Sequence, residues 1–291
     1  ESVLFLKLSD DESKILTISS GTEWFIQISS STNESTDLFK KGINDKVVSI
    51  KFDNFYRFFI LTYNYLVKYE IQNIELVSSM YPLHKSELKN SCPVDFFFFL
   101  KEQINAIVFF ANGDVRYVNT NTNTLNPINN IGYSVLSIVS FNYECDIFYS
   151  LINNQNDLII YNSKFKLLCS ICISDIDIDE SCNYILSQDI ITEIKTNKIY
   201  IMIQHYDGSV MEIELKYNKN DEDLISIFNK KEVTGLKSVN ESLKCIDIHP
   251  SLMLMMLCTG GQFLIFYEPV DFLMISKIYI GYNIQKCYFS F

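Results

Sequence analysis

Short apolar runs separated by small polar turns recur along almost the whole chain. Each repeat has an apolar run, a turn built on glycine, asparagine or aspartate, and a second run that ends in an aromatic or aliphatic residue. Short strands that repeat every ~40–50 residues are typical of a β-propeller, in which one blade is one repeat. The turns are centred on Gly21, Asn64, Gly113, Asn156, Gly208 and Gly261, at intervals of 43 to 53 residues.

The runs divide into six units of four strands each. Val, Ile, Phe and Tyr dominate the runs, which favours strands. Many first and second strands are apolar on both faces, as in Phe96–Phe99, which predicts that neighbouring blades cover both faces. No long stretch has a 3.6-residue period, so we expect almost no helix. The six units extend over residues 3–41, 47–80, 95–125, 135–173, 190–229 and 243–280.

The repeat count predicts an all-β propeller of four-stranded antiparallel blades, with six blades plus part of a seventh. Gln285–Phe291 resembles the first strand of a seventh unit. A closed ring avoids exposed strand edges. We therefore expect one domain over residues 1–291, from a longer protein that continues past Phe291 or supplies strands from before Glu1 or from a partner. The alternative is a six-bladed ring in which Gln285–Phe291 lies outermost beside Asp37–Lys41.

The composition indicates a folded acidic protein without a basic surface. Hydrophobic residues make up 48% of the chain and charged residues 20%, which favours a globular fold. The net charge is −11, and the longest basic runs are the pairs Lys40–Lys41 and Lys230–Lys231. We therefore expect no nucleic-acid partner and no binding to an anionic membrane. The longest apolar stretch, Leu252–Tyr267, is interrupted at Thr259–Gln262. Neither half reaches the ~20 residues of a membrane-spanning helix, so we expect no membrane insertion.

The sixth unit resembles a WD repeat. Ile246–Ser251 ends a first strand in His-Pro, Leu257–Gly261 ends a second strand in small residues, and Leu264–Tyr267 occupies the place of the apolar-Trp-Asp triplet. Tyr206–Val210 resembles the Asp-Gly turn of the same family. No Trp-Asp dipeptide occurs and Trp24 is the only tryptophan, so aromatic packing would replace the usual hydrogen-bond network. The resemblance implies a divergent WD-repeat-like β-propeller.

Three motifs suggest chemistry, and each lacks a required part. Cys169 and Cys172 have the spacing of a zinc pair, but positions three apart in a strand face opposite sides. Asp175–Glu180 begins like a calcium loop, but its sixth position is glutamate and Leu186 occupies its twelfth. His205 and Asp207 could serve a hydrolase, but no nucleophile motif accompanies them. We therefore expect no catalytic residue, no cofactor and no metal, and thus no enzyme.

These features predict a non-catalytic protein-interaction scaffold that displays peptide- or protein-binding loops on a rigid WD-like propeller. The turns between second and third strands, and the connections between blades, should emerge on one face. Exposed aromatic residues on that face suit protein binding. The candidate protein-binding residues are Trp24, Tyr63, Tyr65, His205, Tyr206 and Asp207.

Two other functions stay open at the level of sequence. Ile275–Lys277 followed by Ile284–Cys287 is faintly similar to WD-repeat proteins of ciliary axonemes. This similarity favours a structural subunit of a large assembly, such as an axonemal complex. The second alternative is a propeller-based hydrolase, which would need convergent carboxylates or a metal site.

The cysteines indicate a reducing compartment. The chain has eight of them, dispersed through apolar runs such as Lys244–Ile248. Buried free thiols are the usual form of such cysteines in intracellular proteins. We therefore expect a cytoplasmic protein, with a nuclear location left open.

The dispersed cysteines and the expected reducing compartment predict that the chain contains no disulfide. Thiol titration of the denatured, unreduced chain should return all eight thiols, because dispersed cysteines inside strands do not pair in a reducing compartment. A count of four or fewer would contradict the predicted compartment.

Overall fold

A computed structural model describes the chain as strands and short connections. The residues it describes are 2–8, 14–20, 23–30, 37–72, 75–83, 91–98, 105–143, 146–173, 185–193, 198–205, 210–218, 223–232, 243–249, 254–259, 263–268 and 273–280. No helix occurs within these ranges, in agreement with the expected lack of helix.

The first compact unit, residues 1–135, contains three four-stranded sheets. Consecutive strands lie side by side in each sheet and pair antiparallel. The first sheet comprises β1 (Ser2–Leu8), β2 (Lys14–Ser20), β3 (Trp24–Ser30) and β4 (Asp37–Ile43). The second comprises β5 (Val47–Asn54), β6 (Arg57–Thr62), β7 (Tyr65–Gln72) and β8 (Glu75–Pro82). The third comprises β9 (Pro93–Phe98), β10 (Ala106–Phe110), β11 (Asp114–Asn119) and β12 (Thr124–Asn130).

The second compact unit, residues 136–291, contains three further sheets with the same strand order. The fourth sheet comprises β13, which begins at the unit boundary (Val135–Tyr143), β14 (Asp146–Asn153), β15 (Asp157–Asn162) and β16 (Leu167–Cys172). The fifth comprises β17 (Ile185–Glu193), β18 (Lys198–His205), β19 (Val210–Asn218) and β20 (Asp223–Glu232). The sixth comprises β21 (Leu243–His249), β22 (Leu254–Thr259), β23 (Phe263–Glu268) and β24 (Leu273–Tyr279).

This architecture confirms the predicted fold class. Sequential four-stranded antiparallel sheets are the blades of a β-propeller, and six such sheets occur in the described ranges. Gln285–Phe291, the expected first strand of a seventh blade, lies outside the described residues. The assignment of residues 1–291 to one domain stays a prediction.

The core of the first unit lies on both sides of the second strand of the second sheet. Phe58 and Ile60 of β6 are buried in a cluster with side chains of the first sheet. The alternate residues Phe59 and Leu61 are buried in a cluster with side chains of the third sheet. Because successive side chains of a strand point to opposite faces, one strand contributes to two cores. The expected loss of hydrophobic alternation in second strands is thus confirmed for β6.

The second unit has a core of its own between the fourth and fifth sheets. Phe148 and Ile152 of β14 are buried in one cluster with Ile199 and Ile201 of β18. The alternation expected of third strands occurs in β23, where Ile265 and Tyr267 are buried between partly exposed residues. It does not occur in β15, where four consecutive residues are buried. Apolar packing between second and third strands of adjacent sheets thus forms the core.

Pairing is most regular between the two middle strands of each sheet, which pair without a register shift. Pairing between the first and second strands shifts register in five sheets. Pairing between the third and the outer strand shifts register in five sheets, whereas β7 and β8 pair regularly over eight residues. Such β-bulges bend an edge strand and hinder its pairing with other chains. The bulge in the sixth sheet lies between Met274 and Ser276 of β24.

Removal of a ring from the core should strongly destabilise the first unit. Phe58 is fully buried and its ring stacks on that of Tyr69 at 5.3 Å. Phe58→Ala should therefore lower the free energy of unfolding by about 3–5 kcal/mol, measured by chemical denaturation. Val77→Ala is the control, because Val77 is exposed and its truncation should cost under about 0.5 kcal/mol. Equal losses for both variants would contradict this core assignment.

Candidate recognition face

Turns and connections meet at one end of the sheets of the first unit. Successive strands of each sheet alternate in direction, so the turn after the second strand emerges beside the connections that enter and leave that sheet. Hydrogen bonds between these segments confirm the proximity within this unit. We call this the turn face; it comprises residues 44–46, 62–65, 83, 91–92, 111–114 and 131–133.

One main-chain hydrogen bond recurs at the turns that follow second strands. In the first unit, the amide of Leu83 donates to the carbonyl oxygen of Asn64 at 2.9 Å, and Ile131 donates to Gly113 at 3.0 Å. In the second unit, Ile173 donates to Asn156 at 3.2 Å. Each bond joins the residue just past the outer strand to the turn. Three predicted turn positions are thus confirmed, whereas Gly21, Gly208 and Gly261 lie outside the described residues.

The backbone of the third sheet's turn requires glycine. Gly113 has a φ of 86°, in the left-handed region that side-chain-bearing residues avoid. A Cβ atom at this position would also overlap the carbonyl oxygen of Tyr133 and approach Ile131 within 3.3 Å. The connection after β12 therefore packs directly on this turn.

A charged and polar network closes the turn of the second sheet. The two carboxylate oxygens of Asp45 accept hydrogen bonds from the amides of Lys46, at 2.8 Å, and Asn64, at 2.9 Å. The carbonyl of Lys46 accepts the amide of Tyr63 at 3.2 Å. Thr62 Oγ1 donates to the carbonyl of Tyr65 and accepts from its amide, both at 3.0 Å. These bonds hold the connection and the turn in one arrangement.

The side chains of Lys46 and Tyr63 pair at the surface of this network. Lys46 Nζ donates to the Tyr63 hydroxyl at 3.0 Å and lies 5.0 Å from the centre of its ring. This hydrogen bond raises the pKa of Lys46. The pair presents a cation beside an aromatic ring, a combination that suits the binding of carbonyl and aromatic groups.

The structure separates the candidate residues into different environments. Trp24, Tyr63 and Tyr65 are all half-buried. Trp24 and Tyr65 pack against the core between the first two sheets, whereas Tyr63 contacts the exposed Lys46. His205 ends β18. Tyr206 and Asp207 lie outside the described residues.

Sequence reasoning missed Asp45 and Lys46. Both lie in the short connection between β4 and β5, and they bind the turn that contains Tyr63. The available signal was their position, because connections between blades were expected on the same face as the turns. A search for polar residues in those connections would have found them.

The described part of the chain contains no cluster of side chains that could bind a metal ion. No group of three His, Cys, Asp or Glu residues is placed to hold a metal ion there. Cys169 and Cys172 lie on β16, and burial raises the pKa of the Cys169 thiol, which disfavours the thiolate a metal needs. The calcium-like segment Asp175–Glu180 lies outside the described residues. The described ranges also include no helix long and apolar enough to cross a membrane.

Comparisons with known proteins show the fold but no closer relationship. No protein-family model and no curated protein matches the chain. Among solved structures, the crystal structure of Saccharomyces cerevisiae Sqt1 matches with a TM-score of 0.63 at 12% identity, covering 100% of this chain and 78% of that one. This likeness supports the expected β-propeller fold. The suggested link to ciliary axonemes finds no support. Since 1245 chains match, the fold is widely shared and does not by itself indicate a function.

Two glycines provide a matched test of the packing at the turn of the third sheet. Gly113 and Gly132 both have positive φ, 86° and 74°, but a Cβ at Gly132 meets nothing within 4 Å. Gly132→Ala should cost about 1–2 kcal/mol of unfolding free energy from backbone strain alone. Gly113→Ala should cost about 1–3 kcal/mol more because of overlap with the Tyr133 carbonyl. Equal costs in denaturant titration would show that the connection does not pack on the turn.

Proposed function

We propose that the protein is a non-catalytic scaffold that binds protein or peptide partners through the turn face of its first unit. The observation that carries this proposal is the Lys46–Tyr63 pair, which is held at the surface by the bonded connection and turn beneath it. Aromatic side chains near cations are frequent anchors of protein interfaces. The proposal assigns no catalytic role to any residue of the chain.

Rigidity is the property that makes this face suited to binding. The segment 44–46 and the turn 62–65 share main-chain and side-chain hydrogen bonds, including the one between Asn64 and Asp45. Beneath them, Trp24 and Tyr65 pack against the core. A preorganised surface loses less conformational entropy when a partner binds, so more of the contact free energy appears as affinity.

Free thiols support a reducing compartment for this function. Within the described ranges, Cys92, Cys169, Cys172 and Cys258 are free, and Cys92 is exposed. We extend the proposal to a cytoplasmic location, with the nucleus as the other reducing compartment. A scaffold there could contribute to a multi-subunit complex.

Removal of the Tyr63 ring should weaken partner binding without unfolding the protein. The partner is first captured from the native cell with the intact chain and identified, and its affinity is then measured by titration calorimetry. Tyr63→Ala should weaken that affinity by about tenfold or more, as expected for an aromatic anchor. The melting temperature should change little, since Tyr63 is only half-buried and belongs to neither core cluster of the first unit.

Tyr56→Ala is the matched control. Tyr56 is an exposed tyrosine on the same sheet, in the turn between β5 and β6 at the opposite end of the strands. Its removal should leave the affinity unchanged. If Tyr56→Ala weakens binding and Tyr63→Ala does not, the partner binds elsewhere and the turn face is not the recognition surface.

A further inference from the structure

The chain contains a single Asn-Gly dipeptide, Asn112–Gly113, and it forms the turn of the third sheet. Such a dipeptide can modify itself. The main-chain nitrogen of the glycine attacks Cγ of the asparagine, the Cγ–Nδ2 bond breaks, and ammonia leaves with the proton of the glycine amide. Water then opens the resulting succinimide ring to aspartate or isoaspartate. Glycine favours the attack because no side chain hinders its nitrogen, and asparagine is among the thermolabile residues.

The folded turn holds the attacking nitrogen in place. The main-chain amide of Gly113 donates to the carbonyl oxygen of Phe110 at 2.9 Å, and the Gly113 carbonyl accepts the amide of Ile131 at 3.0 Å. Gly113 also lies directly against the carbonyl oxygen of Tyr133. Closure of the succinimide ring rotates the peptide group between Asn112 and Gly113, so the hydrogen bond to Phe110 must break first.

The side-chain amide under attack is held as well. Asn112 Oδ1 accepts the main-chain amide of Asp114 at 3.0 Å, and Asn112 Nδ2 donates to Asp114 Oδ2 at 3.3 Å. The main-chain amide of Asn112 donates to the hydroxyl of Ser91 at 3.4 Å. These bonds fix the orientation of the side chain, although Asn112 is exposed and water reaches it.

We propose that Asn112 is a modification site, at which the chain converts to aspartate or isoaspartate when the turn of the third sheet opens. The rate in the folded chain is then the rate of the open turn multiplied by the fraction of molecules in which the turn is open. The hydrogen bonds of Asn112, Gly113 and Asp114 set that fraction. This proposal does not depend on the proposed function of the turn face.

Conversion removes the contacts that delay it. The Nδ2 group of Asn112 donates to the carboxylate of Asp114, whereas a carboxylate at position 112 has only acceptor oxygens. Two carboxylates would then lie within hydrogen-bond distance and repel each other. Isoaspartate also lengthens the main chain by one carbon atom, which conflicts with the close packing of Gly113 against Tyr133. A chain modified in the open state therefore closes this turn less readily.

Peptide mapping by mass spectrometry over a time course at neutral pH tests the proposal. The full chain is incubated both folded and in denaturant. The peptide that contains Asn112 should gain aspartate and isoaspartate in denaturant, and should do so at least about tenfold more slowly in the folded chain, because the reaction needs an open turn. Asn64 is the internal control, since it is exposed at the matching turn of the second sheet but precedes tyrosine. It should react far more slowly than Asn112 in denaturant.

Asp114→Ala tests whether the turn controls the reaction. Loss of the carboxylate should raise the ratio of the folded rate to the denatured rate by about threefold or more, and this ratio cancels any effect on the reaction of the open chain. Asp157→Ala is the matched control, because Asp157 accepts the side-chain amide of Asn153 at 2.9 Å at the turn of the fourth sheet. It should leave the ratio at Asn112 unchanged, and melting temperatures show that both variants fold. The proposal is overturned if Asn112 stays unmodified in denaturant, if folded and denatured chains react equally fast, or if Asp114→Ala leaves the ratio unchanged.

Discussion

Burial of the second strand of a sheet on both faces is the constraint on which the rest of the structure depends. In the second sheet, Phe58 and Phe59 are neighbours in sequence but belong to different core clusters. Each fully buried side chain of this size contributes about 1.5–3 kcal/mol through removal of apolar surface from water. One strand therefore ties its own sheet to the sheets before and after it, and any change to it affects two interfaces.

Tight packing of the sheets also fixes the position of the turn face. Asn64 and Gly113 lie at the same end of their sheets. There the residue that follows each outer strand, Leu83 or Ile131, donates a hydrogen bond to the turn. Both of these donors are buried apolar residues. The hydrophobic core and the surface turns are thus coupled, because the same residue fills a core position and fixes a turn.

Regular pairing is found between the two middle strands of each sheet. Inner strands are covered on both faces, so sequence variation there is limited by volume and shape. Outer strands have a free edge and tolerate bulges, prolines and charges, as Pro127 and Lys41 illustrate. The strand β24 departs from this pattern, because its apolar residues are all exposed.

The sequence by itself determined the strands, their order and the turns at Asn64, Gly113 and Asn156. Apolar runs broken by Asn64, Gly113 and Asn156 specify local hairpins, since extended backbone and tight turns depend on neighbouring residues. Tertiary structure alone decided the roles of the candidate residues. Trp24 and Tyr65 pack against the core while Tyr63 pairs with Lys46, a residue 17 positions away. The physical reason is that the burial of Trp24 and Tyr65 depends on which sheets pack together. The contact between Lys46 and Tyr63 depends on the pairing of β5 with β6, which brings residues distant in sequence side by side.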